Sequence, residues 1–204
     1  MGWYTEHVLP RALDVSMRGA AFGRIRARVA AGLAGEVLEI GFGSGLNVPY
    51  YPASVSRVLA VDPAAAGRRL AARRIGRSQV PVQFAGLDAS RLPAGDATVD
   101  HVLSTWTLCT VPDAGQALAE ICRVLRPGGT LHFAEHGLAP DPAVARLQHR
   151  LTPVQRRLVG GCHLDRPVRE LITAAGLKIG RLDMYYMSWP HALGYTYEGD
   201  ASRP

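Results

Sequence analysis

Between Val37 and Pro52 the chain reads VLEIGFGSGLNVPYYP, with glycines on alternate positions at 41, 43 and 45 and a carboxylate, Glu39, two residues ahead of them. Gly41 and Gly45 permit backbone angles that other residues resist, and Gly43 lets the main chain come close to a ligand. Two phosphate-binding patterns are excluded. A dinucleotide fingerprint needs glycine at 46, where this chain has Leu46, and a P-loop needs Gly-Lys-Ser/Thr, which is absent. Glu39 would also repel a pyrophosphate; it suits a ligand that carries an ammonium group. A second carboxylate, Asp62, closes RVLAVD seventeen residues beyond Gly45. There it can accept both hydroxyl protons of a ribose, or cap a helix beginning at Pro63. Asp88, in AGLDASRLP, can accept from an exocyclic amine of adenine, with the Ala89 backbone beside it.

These residues act together only if the fold lines them up. EVLEI (36–40), RVLAVD (57–62), VPVQFAG (80–86), TVDHVLSTW (98–106) and TLHFAEH (130–136) read as strands. Helical patterns fall between and around them at Met17–Gly32, 63–76, 113–125 and Asp165–Gly176, the third stopped by Pro127-Gly128-Gly129. LKIGRLDMYYM and ALGYTYEG read as late strands. Such alternation predicts an α/β fold, a parallel sheet with helices on both faces, which binds ligands at the carboxyl ends of its strands. Glu39, Asp62 and Asp88 then share one edge. A row of three carboxylates suits a nucleoside with a cationic amino-acid tail, which is S-adenosylmethionine.

Composition narrows the class. The 204 residues, 48% hydrophobic and 20% charged, predict one domain with a full core. The net charge of +6 raises a nucleic-acid partner. The arginines are dispersed, however, and the densest groups, Arg24/Arg26/Arg28 and Arg68/Arg69/Arg73/Arg74/Arg77, read as solvated helix faces. No nucleic-acid-binding motif accompanies them, so no nucleic-acid partner is expected. Cys109, Cys122 and Cys162 are scattered without a CxxC pair, so neither a metal site nor a disulfide framework is expected. With no apolar run of membrane-spanning length and no signal-peptide centre, a cytoplasmic protein without a membrane anchor is expected.

From Glu36 to about Gly199, some four-fifths of the chain, the sequence resembles the class I S-adenosylmethionine-dependent methyltransferases. The matching motifs are VLEIGFGSG, VLAVD, GLDASRLP, TVDHVLST and EICRVLRPGGTLHFAEH. The resemblance implies a Rossmann-like, seven-stranded, mostly parallel sheet whose last strand is antiparallel. It also implies a helical lid over residues 1–35, a donor-binding core over 36–139, and an acceptor-side lid with late strands over 140–204. Carried over by position, Glu39 and Gly41 lie near the methionine amino group, with Gly43, Gly45 and Asn47 in the same loop. Asp62 and Pro63 lie at the ribose, Asp88 and Ala89 at the adenine, and Ser104 at the methionine again. Asp100 matches too, as a structural hydrogen-bonding residue. S-adenosylmethionine is the implied cofactor and S-adenosylhomocysteine its product.

Within that superfamily, GSGLNVPYYP, STWTLCTVPD, FAEHG and GGCHLDRP resemble the small alkyl-thiol methyltransferases, whose animal members are membrane-anchored. RVLRPGG is shared with quinone C-methyltransferases. The resemblance implies methyl transfer to a small lipophilic acceptor, a thiol. The alternatives are a quinone or phenol methyltransferase, or a non-catalytic methyltransferase-like scaffold for RNA. Candidates for the acceptor pocket are Trp106, Leu108, Tyr185, Tyr186 and Trp189, with Trp3 and Tyr4 closing over it. His136 ends the fifth strand, where an imidazole can take a proton or orient an acceptor; it is the catalytic candidate. His163 and Asp165 form a second pair. Cys162 reads as a small buried residue, whose replacement by serine leaves activity intact.

Overall fold

The computed structural model describes residues 4–187 and 190–204. Seven strands form one sheet: β1 Gly35–Ile40, β2 Val55–Val61, β3 Val82–Gly86, β4 Val99–Thr105, β5 Leu125–His136, β6 Lys178–Tyr186 and β7 Tyr195–Ser202. Their order is β3-β2-β1-β4-β5-β7-β6. β1 to β5 are parallel, and β7 runs antiparallel between β5 and β6. The expected sheet, with its antiparallel last strand, is present. The order reverses at β1, which pairs with β2 on one side and β4 on the other. The crevice at such a reversal is where open α/β sheets bind ligands.

Helices α1 Leu9–Ser16, α2 Ala20–Ala30, α3 Ala65–Ile75, α4 Ala114–Val124, α5 Pro142–Leu158, α6 Val168–Ala174 and the short α7 His191–Gly194 surround the sheet. Along β1, Leu38 and Ile40 enter one core cluster with Leu118 and Ile121 of α4 and Ile172 of α6. Val37 enters the opposite cluster with Ile25 and Val29 of α2. The alternation follows from the two-residue period of a strand, and it turns Glu39 to the same face as Val37.

Of the boundaries that differ from the sequence reading, two have a visible cause. The helix expected over 17–32 starts only at Ala20, because Gly19 takes an extended backbone (φ −55, ψ 151) that separates it from α1. β5 begins at Leu125 instead of Thr130: Leu125 already pairs with Val99 before the ladder slips to His101 with Thr130. The intervening Arg126–Gly129 bulges outward, with Gly128 at φ +78.

α3 leans on the glycine loop through Gly67. A Cβ at that position would lie 2.8 Å from the Gly43 carbonyl oxygen. Glycine to alanine inside a helix ordinarily stabilises by about 1 kcal/mol. Here overpacking reverses the sign, at about 1–3 kcal/mol. Gly67→Ala should therefore lower the thermal midpoint by roughly 2–10 °C; an unchanged or higher midpoint in a melting experiment would contradict this packing.

Candidate active site

All three loop glycines adopt left-handed backbone, at φ +66, +53 and +73 for Gly41, Gly43 and Gly45. Gly41 is further constrained, since its Cβ would fall 1.9 Å from Thr107 Oγ1. Above the loop, the buried Glu39 carboxylate accepts from Asn47 Nδ2 at 3.1 Å and from the Tyr51 hydroxyl. Asn47 also donates to Thr105 Oγ1 at 2.9 Å, which ties the loop to the end of β4. Burial raises Glu39 to a pKa of about 7. Asp62 accepts from Gly43 N at 2.7 Å and Ala64 N at 2.6 Å, and burial raises its pKa. It braces the loop ahead of α3, which starts two residues after Pro63. Asp88 is exposed beyond β3 and accepts from the backbone and hydroxyl of Ser90 at 2.8 and 2.7 Å. These bonds hold its carboxyl below the usual range.

The N-terminal helices cover this loop. Asp14 of α1, buried, accepts from Ser44 Oγ at 2.7 Å and pairs with Arg74 at 2.9 Å and with Arg18. Arg26 of α2 is 4% exposed, with its guanidinium 4.8 Å from the Trp106 ring centre. Burial lowers it to a pKa of about 10. Among the described residues, the buried donors Arg26 Nε and Trp106 Nε1 find no protein acceptor, and neither does Arg68 Nε. Trp106 is held at φ +50, a left-handed conformation that costs a bulky residue about 1–3 kcal/mol and gathers at functional sites.

At the ends of β4 and β5 a second constellation forms around Glu135, which is 0% exposed. It accepts from Ser104 Oγ at 2.6 Å, Thr107 N at 3.0 Å and Cys109 N at 3.1 Å. The next residue, His136, places Nδ1 3.6 Å from Cys162 Sγ, which lies 3.8 Å from Cys109 Sγ. The Cys109 contact holds the Cys162 thiol below its ordinary pKa. The same contact and burial push Cys109 up.

Residues 38–133 match the family model described as a methyltransferase domain. The chain is similar to human thiol S-methyltransferase TMT1A, 32% identical over 78% of this chain and 69% of that protein. It is likewise similar to rat thiol S-methyltransferase TMT1B, 33% identical over 64% of this chain and 54% of that protein. A S-adenosylmethionine-dependent methyltransferase of Thermotoga maritima shares the fold at a TM-score of 0.66 and 20% identity, covering 98% of this chain and 99% of its own. The chain belongs to the class I S-adenosylmethionine-dependent methyltransferases. The residues present fit that donor: Glu39 offers negative charge for its ammonium group. Arg26 Nε and Trp106 Nε1 lack the acceptor that a carboxylate supplies.

Several acceptor-side expectations for this methyltransferase are corrected. Leu108 is buried in the main core cluster, and its carbonyl accepts from Arg166. Tyr185 and Tyr186 cannot line one pocket, since neighbours on a strand point to opposite faces. Tyr185 donates to Glu198 at 2.5 Å and accepts from Arg28 at 3.2 Å, whereas Tyr186 stacks 4.5 Å from His191. Asp165 pairs with His149 at 2.8 Å rather than with His163, and His163 uses its backbone to reach Cys109 O at 2.7 Å. Ser104, expected at the methionine, is fully buried inside β4, where it pairs with Ile40 and Phe133 and spends its hydroxyl on Glu135. Arg26 is no solvated helix residue, and Cys109 and Cys162, distant in sequence, touch. Asp100 does structural work as expected, accepting from Glu36 N at 3.0 Å. Tyr4 donates to Leu158 O at 3.0 Å, joining the N-terminal segment to α5. Trp3 and Trp189 lie outside the described residues. No helix among those described is long and apolar enough to cross a membrane.

The sequence reading missed Asp14, Arg26, Tyr51 and Glu135 as site residues. Tyr51 and Glu135 left a trace inside the motifs GSGLNVPYYP and FAEHG, and Arg26 entered only as part of an expected solvated face.

The methyltransferase holds Glu39 at a thermodynamic disadvantage. Its carboxyl titrates near 4.5 when unfolded and near 7 when folded, so stability falls as pH rises between those values and is level above. The deficit above pH 7 is about 3 kcal/mol. Glu39→Gln should raise stability at pH 8 by roughly 1–3 kcal/mol and flatten the decline. Denaturant titrations at pH 5 and pH 8 test this, and equal stability differences between variant and parent at the two pH values would refute it.

Proposed function

We propose that the protein transfers the methyl group of S-adenosylmethionine to the sulfur of a small lipophilic thiol. The observation that carries this reading is the sulfur and imidazole cluster of Cys109, His136 and Cys162. It lies at the ligand-binding edge, its cysteines share a core cluster with Trp106, and its Cys109 stands on the loop whose Thr107 abuts Gly41. Similarity to thiol S-methyltransferases supports it. In this reading Glu39, held by Asn47 and Tyr51, receives the donor's ammonium, and Arg26 with Trp106 receives its carboxylate. Asp62 and the Pro63 turn meet the ribose, and Asp88 and Ala89 the adenine. Residues 4–35 and 140–166 serve as covers that keep water from the acceptor.

Transfer from a sulfonium is an in-line displacement with a good leaving group. The thiolate sulfur bonds to the methyl carbon, the carbon–sulfonium bond breaks, and its electron pair stays on the departing S-adenosylhomocysteine. Alignment of the two reactants is worth about 7–11 kcal/mol. His136 acts on the acceptor's sulfur, so its loss reduces turnover without touching the donor.

Three measurements test the reading. Asp62→Ala should weaken donor binding in calorimetry by about 1.5–3 kcal/mol, roughly 10- to 150-fold; undiminished affinity would remove Asp62 from the donor site. His136→Ala should lower single-turnover methylation about 100-fold or more at unchanged donor affinity, and a parent-like rate would exclude it. In a screen with labelled donor, hydrogen sulfide or short alkyl thiols should be methylated. Labelling of phenols, quinones or amines with thiols untouched would displace the thiol assignment.

A further inference from the structure

The ligand-binding edge holds a group of side chains that the reaction above uses only in part. Cys109 Sγ, His136 Nδ1 and Cys162 Sγ all lie within 4.8 Å of one another. A tetrahedral zinc ion, with bonds of about 2.3 Å to sulfur and about 2.0–2.1 Å to nitrogen, spaces its ligand atoms about 3.8 Å apart for two sulfurs and about 3.6 Å for sulfur and nitrogen. The observed separations are 3.8 Å for the two sulfurs and 3.6 Å for Cys162 Sγ to His136 Nδ1. We propose that Cys109, His136 and Cys162 hold a zinc ion, and that its fourth position receives the sulfur of the acceptor. The site stands on the geometry; its role deepens, and rests on, the thiol reading.

The chain builds this cluster with some care. Cys109 is fixed at both ends of its peptide: its N–H donates to Glu135 Oε2 at 3.1 Å and its carbonyl accepts from His163 N at 2.7 Å. Cys162 is delivered by the Gly160-Gly161 turn, with φ +55 and +93. A Cβ at Gly161 would lie 2.8 Å from the Thr110 carbonyl oxygen, so only glycine lets this turn close on the loop that carries Cys109. His136 stands on β5 directly after Glu135. Each ligand thus comes from a held main-chain segment, which a metal site needs to keep its geometry.

Donor set and charge agree with zinc. Two sulfurs and an imidazole favour a borderline-soft ion over magnesium or calcium. Binding removes the protons of both cysteines, and two thiolates neutralise the dication. Cys109 and Cys162 are buried and His136 is partly exposed, so the fourth position opens on the His136 side. A three-ligand site with one open position is the pattern of catalytic zinc. The acceptor R–SH would lose its proton to solvent on ligation, and its sulfur would then take the methyl group. The neutral methyl thioether, a poor ligand, would leave the ion. In this scheme His136 works as a ligand, and Cys162→Ser, expected to be harmless from sequence, becomes damaging.

The test uses the full chain, stripped of metal and reduced, with Cys122→Ser as the control outside the cluster. Titrated with cobalt(II) as a spectroscopic stand-in, the wild type and Cys122→Ser should show thiolate charge-transfer and tetrahedral d–d bands saturating near one ion per chain. Cys109→Ser and Cys162→Ser should bind at least tenfold more weakly, while calorimetry with S-adenosylmethionine shows unchanged donor affinity and hence an intact fold. Adding ethanethiol should shift the d–d bands of the wild type. Zinc content by mass spectrometry should follow the cobalt ranking. Absent metal binding, equal affinity in the cysteine variants, or a Cys109–Cys162 disulfide in place of the metal would overturn the site. Full-rate thiol methylation by metal-free protein would overturn the zinc's role while leaving the thiol reading intact. Metal binding without methylation of any thiol would overturn that reading and leave the site standing.

Discussion

One buried carboxylate organises both halves of the catalytic edge. Glu135 is fully enclosed, and an ionised carboxyl in that position is tolerable only when its lone pairs are met by donors. They are met by the Ser104 hydroxyl and by backbone N–H groups of Thr107 and Cys109. The loop after β4 must therefore wrap around the end of β5. Thr107 is brought against Gly41, which admits no side chain there. Trp106 is turned into left-handed backbone, and Cys109 is set beside His136 and Cys162. Remove the carboxylate and the glycine loop loses its neighbour at the same moment as the acceptor edge loses its frame.

The remaining buried charges are arranged by similar logic. Asp14 is matched by Arg18 and Arg74, and this ion network fastens α1 over Ser44 of the glycine loop. Arg26 and Glu39 feel each other's charge across the same loop, with no direct bond between them among the described residues. The fold thus keeps opposite charges apart beside the glycine loop and together where a helix must be fastened. Glu39 is the costly member of this arrangement, because the hydrogen bonds from Asn47 and Tyr51 and the charge of Arg26 do not fully offset its burial.

Much of this was legible in the sequence. The strand pattern, the glycine loop and the positions of Glu39, Asp62 and Asp88 follow from local chemistry. A parallel sheet needs continuous apolar strands, and the residues that follow them fall at one edge by construction. The acceptor side was legible only in part. Tyr185 and Tyr186 looked like one aromatic cluster, yet the two-residue period of β6 sends them to opposite faces. Asp165 looked like the partner of His163 because they are neighbours in sequence, but α5 presents His149 to it instead.

The sequence by itself determined the layers, the order of the motifs and the donor loop, because these depend on periodicity, glycine and strand ends within a few residues. Only the tertiary structure decided that Arg26 is buried, that Asp14 fastens α1, and that Glu135 gathers the β4–α4 loop. It alone also joined Cys109 to Cys162, 53 positions apart. Those contacts depend on how a loop folds back across the sheet edge, and no local spacing encodes that path.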